Sequence, residues 1–368
     1  MHYLTLTGIQ NNPLSTPPNS DADLGSLPFF LPNADALEPF DDRTVQFLDL
    51  LGSRLLADHE VDNHPDIAAL AFWLRKNNLS YLKSENRHLF NRYDVRTSPI
   101  GNVYHHYSLN SGNTFMYCLA ISLLMGNKNL VRMSLPDPTS GVATILSKMN
   151  ELLAQKEYEL FRVYINFFDC DDDDYIARHM SSVVNTIVLD DEISRAEDIL
   201  MNKKSRDTKV VFFEPKPSAI IIGCHDYAAL DDQGRNKLIA KLISDIRVFS
   251  QSEAIDQLTL FFLGAENEFR STSNRFNSDI SAHAELSKMQ LAVHRIDSVD
   301  QLIIDEKKHW GTISFFGLEQ DALNQLQKMS DVLRLDRIIP VGQALLFNYV
   351  QNGYSLFDVF SKKVYLSR

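Results

Sequence analysis

A chain of 368 residues is long for one hydrophobic core, so two domains are the default expectation. Its hydrophobic share of 44% and charged share of 23% are those of a globular protein, and a formal net charge of −12 argues against a nucleic-acid surface, which needs a cationic footprint. That balance still leaves room for a local basic pocket holding one anionic ligand.

Residues 1–40 are rich in Pro, Asn, Ser and Asp and read as an irregular arm anchored by Phe29, Phe30 and Leu31. The opening MHYLTLTGIQ has neither the basic nor the apolar region of a signal peptide. Asp41 to Leu56 predicts a first helix and Pro65 to Leu82 a second. Pro65 suits a first helical position, and Ile67, Leu70, Ala71 and Leu74 recur at helical spacing. Val103 to Tyr107 predicts a strand, Asn110 to Asn113 a polar turn, and Phe115 to Met125 a buried helix closed by Gly126. The stretch FMYCLAISLLMG is the longest apolar one and is too short to span a bilayer.

Strand and helix then alternate. Strands are expected at Asn129 to Ser134, Arg162 to Phe168 and Thr186 to Leu189. Helices are expected at Val142 to Tyr158, Tyr175 to Val184 and Glu192 to Met201. Such alternation implies a mostly parallel sheet with helices on both faces, which binds ligands at the C-terminal ends of its strands. The run TKVVFFEPKPSAIII reads as a strand, a turn broken by Pro215 and Pro217, and a second strand. The next helix starts at Asp231 and Asp232 and buries Leu238, Ile239, Leu242, Ile243, Ile246 and Phe249. Gln257 to Gly264 predicts a strand centred on Phe261 and Phe262. The linking segment SQSEAID sits where an α/β fold commonly places chemistry, yet it offers no nucleophile besides Ser250 and Ser252. Further on, helices are expected near Ile280 to Val293, Val299 to Lys307 and Gln320 to Leu333, with strands at GTISFFG and Arg337 to Val341. The tail turns at Asn352-Gly353 and ends in a short strand-like run.

Isolated residues that invite chemistry have plainer readings. His105 and His106 alternate on a strand, so one points inward as a satisfied structural histidine. Cys224 and His225, adjacent on an extended segment, face opposite sides and do not pair. Cys118 is core. Three scattered cysteines (Cys118, Cys170 and Cys224) make no disulfide framework and fit a reducing cytoplasm. The acidic run Asp169 to Asp174 lacks the spaced ligands of a calcium loop and suits a solvated helix start. No Cys/His grouping has zinc spacing, so no metal is expected, and there is no GxGxxG, Walker loop or GxSxG.

Five stretches in order resemble the LuxC-like fatty acyl-CoA reductases, a branch of the aldehyde dehydrogenase superfamily. They are PDIAALAFWLRKNNL; YHHYSLN with ISLLMGNKNLVRMS; VVFFEPKPSAIII; DIRVFSQSEAIDQLTLFFLG; and RIIPVGQALLF with NGYSLFDVF. The resemblance runs from about Pro65 to the C-terminus. It implies an α/β fold, aldehyde dehydrogenase-like, with a Rossmann-type nucleotide-binding domain plus a smaller α/β catalytic domain and an active site in the cleft between them. The expected division is 1–95, an arm and helices; 96–217, nucleotide-binding-like; 218–335, catalytic-like; and 336–368, a return segment.

The implied chemistry is reduction of a fatty acyl thioester. A cysteine thiolate takes the acyl group and expels the carrier thiol, and hydride from NADPH then releases the aldehyde. A thiolate is needed because it both attacks and leaves readily at neutral pH, and donors must face the developing oxyanion. By resemblance, Asn110 supplies the oxyanion amide, although Asn also suits a helix cap. Arg132 and Ser134 lie where a basic residue after the second strand meets the adenosine ribose or 2′-phosphate; a surface or salt-bridge role for Arg132 stays open. Lys216 matches a strand-end lysine of the cofactor site. The nucleophile's Gln-x-x-Cys segment is Gln251-Ser-Glu-Ala254 here, so Ala254 stands at the cysteine position. The Glu base of the hydrolytic dehydrogenases is Phe212 here, a loss that a reductase tolerates. A family Gly-Gly pair is replaced at Leu189-Asp190-Asp191. A carboxylate there opposes a pyrophosphate by about 4 kcal/mol at close range with an effective dielectric of roughly 20. Ala254 reads either as a natural loss or as a Cys-to-Ala substitution, and the independent departure at Asp190 favours the first. The expectation is therefore a cytoplasmic acyl-thioester reductase-like protein with an NADP site. It would be inactive without its cysteine, or else a non-catalytic binder of an acyl chain or of an acyl-protein synthetase-like partner. A homo-oligomer formed through a hairpin is a further implication.

Overall fold

The computed structural model describes residues 2–4, 36–107, 112–133, 136–169, 184–190, 207–213, 216–249, 258–281, 291–303, 310–351 and 353–367. The chain divides into two units, Met1–Glu214 with Tyr349–Arg368, and Pro215–Asn348. Each is an α/β unit built on a parallel sheet, as the alternating pattern leads one to expect.

The first unit opens with strand β1 (His2–Leu4), which pairs antiparallel with a later edge strand in the register His2↔Asp169. This corrects the irregular reading of the first residues: three residues carry too little pattern to betray a strand, and only a distant edge creates it. Phe29, Phe30 and Leu31 lie outside the described residues. Helix α1 (Asp42–Leu56) starts where Asp41 accepts a hydrogen bond from the Arg43 amide, and it buries Phe47, Leu48, Leu51 and Leu55. Gly52 lets it approach the next helix, because a Cβ there would sit 2.6 Å from the Ala71 carbonyl.

The single helix expected from Pro65 to Leu82 is two, α2 (Pro65–Trp73) and α3 (Lys76–Glu85). The break at Arg75 has a tertiary cause. Asp49 of α1 accepts the Lys76 amide at 2.8 Å and pairs with the Arg75 guanidinium at 3.1 Å, so it caps a new helix start that the local sequence does not announce.

Strand β2 (Val95–Pro99) precedes the central strand β3 (Asn102–Tyr107). Both faces of β3 are covered. His105 and His106 are each fully buried, where alternation suggested that one would point inward. Helix α4 (Thr114–Leu124) is buried nearly throughout, and Gly126 at φ +84 closes it; a Cβ there would run into the Leu37 carbonyl. Strand β4 (Lys128–Arg132) follows, then α5 (Gly141–Leu153), which stops short of Tyr158. Phe161–Tyr164 forms a helical turn that takes up the first part of the strand expected from Arg162. Phe161 stacks on Phe47 at 4.5 Å, and that contact holds it out of the ladder. Strands β5 (Ile165–Asp169), β6 (Thr186–Asp190) and β7 (Lys209–Phe212) complete a sheet of order β1-β5-β4-β3-β6-β7, parallel apart from β1. The helices expected at 175–184 and 192–201 and the acidic run 170–174 fall outside the described residues, apart from Val184.

The second unit opens with β8 (Ser218–Gly223), entirely buried, and helix α6 (Asp232–Phe249). Leu238, Ile239, Leu242, Ile246 and Phe249 of α6 pack on one sheet face, against Ile220, Ile222, Leu260 and Phe262. Next come β9 (Leu258–Leu263), helix α7 (Glu266–Ser281) and β10 (Leu291–Ile296). The helix expected up to Val293 is thus corrected. α7 buries only Thr272 and Phe276 and leaves little apolar signature, while β10 is set by the free edge of β9 that it pairs with. Strand β11 (Thr312–Phe316), helix α8 (Gln320–Lys328) and β12 (Arg337–Pro340) end a five-stranded parallel sheet of order β10-β9-β8-β11-β12. Trp310, Leu326 and Leu333 cover its other face, against Phe261 and Ile313.

The chain then returns to the first unit through a small hairpin of Val350–Gln351 and Tyr354–Ser355. A last strand, Ser361–Tyr365, pairs antiparallel with β2. Lys209 at the start of β7 fastens this return by donating to the carbonyls of Asp358, Val359 and Ser361 at 2.8–3.2 Å. Among the described residues no helix is long and apolar enough to cross a membrane.

Candidate functional site

Among the parallel strands of the first unit the chain starts at the central β3, moves outward to β4 and β5, then crosses back to β6 and β7. The strand order therefore reverses between β3 and β6, and such a reversal opens a crevice at the C-terminal strand ends. Tyr107 and Asp190 are register partners there, and Arg132 ends β4 next door, in register with His106. Strand alternation separates the charges. His105, Tyr107 and Asp190 share the sheet face covered by α4, where Tyr107 meets Phe115 at 6.2 Å and lies beside the Cys118 thiol. Tyr104, His106, Arg132 and Leu189 share the opposite face.

Arg132 is only 6% exposed and donates from Nη1 to the Tyr107 carbonyl at 3.2 Å. Below it runs a buried polar chain. The His105 ring bonds to Asn129 Oδ1 at 2.9 Å and to the Tyr107 hydroxyl at 3.1 Å. Burial lowers the His105 pKa to about 4, so the ring is neutral at physiological pH. Burial first, and then the neighbouring Cys118 and Asp190, push the Tyr107 hydroxyl well above its usual range. The same burial raises the Cys118 thiol, which is inert as a nucleophile.

The structure therefore brings Arg132 and Asp190 to neighbouring strand ends, on opposite faces. Lys216 lies in the second unit, just before β8, with its ammonium 2.8–3.0 Å from the Asp336 carboxylate. Both side chains are 14% exposed, and Lys216 packs over Gly311. Asn110, Ser134 and Ala254 lie outside the described residues. Cys224 starts a short helix instead of continuing an extended segment; its side chain is buried while His225 is exposed, so the two do not pair. Sequence reasoning passed over Asn129 and Tyr107. The repeated Tyr-His pattern in YHHY was the available signal: residues two apart on a strand share a face, and Tyr104 bonds to His106 at 3.0 Å as Tyr107 does to His105.

The second sheet has the same winding, with its reversal between β8 and β11. There Gly223 and Gly317 bring two backbones into direct contact, and a Cβ on Gly223 would strike the Gly317 carbonyl. Among the described residues no group of His, Cys, Asp or Glu could hold a metal ion.

No protein-family model and no curated protein matches the sequence. Solved structures match the fold. Aldehyde dehydrogenase 21 from Physcomitrella patens, in complex with the reaction product succinate, is 11% identical with a TM-score of 0.62, over 88% of this chain and 85% of that one. Glyceraldehyde-3-phosphate dehydrogenase from Methanocaldococcus jannaschii, complexed with NADP, is 12% identical with a TM-score of 0.59, over 89% and 90%. Lactaldehyde dehydrogenase from Escherichia coli is 13% identical with a TM-score of 0.59, over 89% and 87%. The chain has the aldehyde dehydrogenase fold, and at these identities the likeness is one of fold.

Proposed function

We propose that the chain is an acyl-thioester reductase-like protein with a dinucleotide site at the C-terminal edge of its first sheet, and that as written it forms no acyl-enzyme. The observation that carries the dinucleotide site is Arg132, a buried guanidinium anchored at the strand-order reversal of a sheet in the aldehyde dehydrogenase fold. It suits an adenosine ribose bearing a 2′-phosphate, because a guanidinium binds phosphate through paired hydrogen bonds. The Asp190 carboxylate that would oppose a pyrophosphate shares the α4 face with Tyr107, away from the Arg132 face, so these residues fit NADPH. Ser134 would join Arg132 at the ribose, Lys216 is the further cofactor residue implied by resemblance, and Asn110 would donate to the oxyanion. When bound, NADPH supplies the hydride.

At the position where the resemblance places the nucleophile the chain has Ala254, which cannot attack a thioester. Among the described residues the cysteines, Cys118 and Cys224, are buried with raised thiol pKa values. These observations favour a second reading, a non-catalytic protein that binds an acyl chain or an acyl-activating partner. Nicotinamide absorbance with an acyl-CoA and NADPH, read for the protein and for Ala254→Cys, separates the two. Turnover in the variant alone supports an inactivated reductase; silence in both, with no NADPH binding by calorimetry, retires the reductase reading.

A further inference from the structure

We infer that Asn129, His105 and Tyr107 are positioning residues that set the Arg132 guanidinium, and with it a preference for a dinucleotide carrying a 2′-phosphate. This rests on the dinucleotide site proposed above. The direction of every bond in the chain follows from its far end. The Asn129 Nδ2 group faces two carbonyls, those of Asn127 at 2.9 Å and Tyr164 at 3.3 Å, which can only accept. Oδ1 must then face His105, and the ring nitrogen 2.9 Å away, Nε2, must carry the proton. Nδ1 is left as an acceptor, so the Tyr107 hydroxyl donates to it across 3.1 Å. No member can turn round without leaving a buried partner unsatisfied, so the chain has one arrangement.

Its product is the placement of one carbonyl. Tyr107 is the last residue of β3. Its buried ring, held by His105 on the α4 face, fixes the peptide whose oxygen accepts from Arg132. Tyr107 thus joins the two faces: its hydroxyl belongs to one and the guanidinium it orients belongs to the other. Paired hydrogen bonds to a phosphate demand that the guanidinium plane be set in advance, so loosening the carbonyl costs affinity for the 2′-phosphate and leaves the rest of the nucleotide untouched.

The test is calorimetric binding of NADPH and of NADH, which lacks the 2′-phosphate, to the full chain. The variants are Arg132→Met, Tyr107→Phe, Asn129→Ser and, as a control, Ser314→Ala. The control removes a buried hydroxyl from the second unit, where Ser314 bonds to Asp245 at 3.1 Å. Arg132→Met should weaken NADPH about tenfold and leave NADH within about twofold. Tyr107→Phe and Asn129→Ser should weaken NADPH by roughly three- to tenfold with NADH unchanged, while Ser314→Ala lowers the melting temperature without moving the ratio. If Arg132→Met is selective but the Tyr107 and Asn129 variants move both nucleotides equally, or neither, the positioning role is wrong and the site survives. Unchanged binding in Arg132→Met, or no binding of either nucleotide by the unaltered protein, overturns the site itself and the inference with it.

Discussion

The carboxylate of Asp245, fully buried on α6, accepts a hydrogen bond from the Gly342 amide at 2.8 Å. It also takes the Ala344 amide at 2.9 Å and the Ser314 hydroxyl at 3.1 Å, and so binds the loop after β12 to the helix beneath it. Arg337 stands close by, donating to the carbonyls of Gln343, Ala344 and Leu346. Replacing Asp245 with Ala strands two buried amides and a hydroxyl and takes the neighbouring negative charge from Arg337. The expected loss is roughly 2–4 kcal/mol, read as a lowered urea midpoint of unfolding.

His105 makes stability depend on acid. Its folded pKa of about 4 lies below the ordinary value of 6.5, so the unfolded chain takes up the proton first as pH falls. The contribution of the neutral ring is complete above about pH 6.5 and is lost progressively down to about 4, a total of roughly 3 kcal/mol. Urea unfolding at pH 7 and pH 4.5 should show this loss. His105→Gln, which does not titrate, should flatten the slope over that interval even if it is less stable throughout.

Lys209 holds the return segment by three carbonyls. Lys209→Met keeps the apolar stem and removes the donors, so the last strand should loosen before the sheet does. Limited proteolysis should cut within residues 349–368 faster in the variant, while global stability falls by roughly 1–2 kcal/mol.

The elements that sequence periodicity disclosed are those whose burial follows their own pattern. The α6 stripe from Leu238 to Phe249, the largely apolar α4 and the flanking strands are examples. The misses have partners distant in the chain. Asp49 starts α3 from another helix, β9 makes a strand of Leu291–Ile296, and β5 makes one of His2–Leu4. The same holds at the site. Arg132 and Asp190 could be read as charges at strand ends, but their assignment to opposite faces required the register. Asn129 acquires its role only because β3 and β4 lie side by side.

The last strand, Ser361–Tyr365, pairs with β2, some 260 positions earlier in the chain, across an entire second unit. During synthesis Pro215–Asn348 is therefore made in full while the older unit still waits for its final ribbon. A premature stop after Asn348 would spare the younger sheet and leave the first unit unclosed, so damage at the tail is felt in the unit whose synthesis began first.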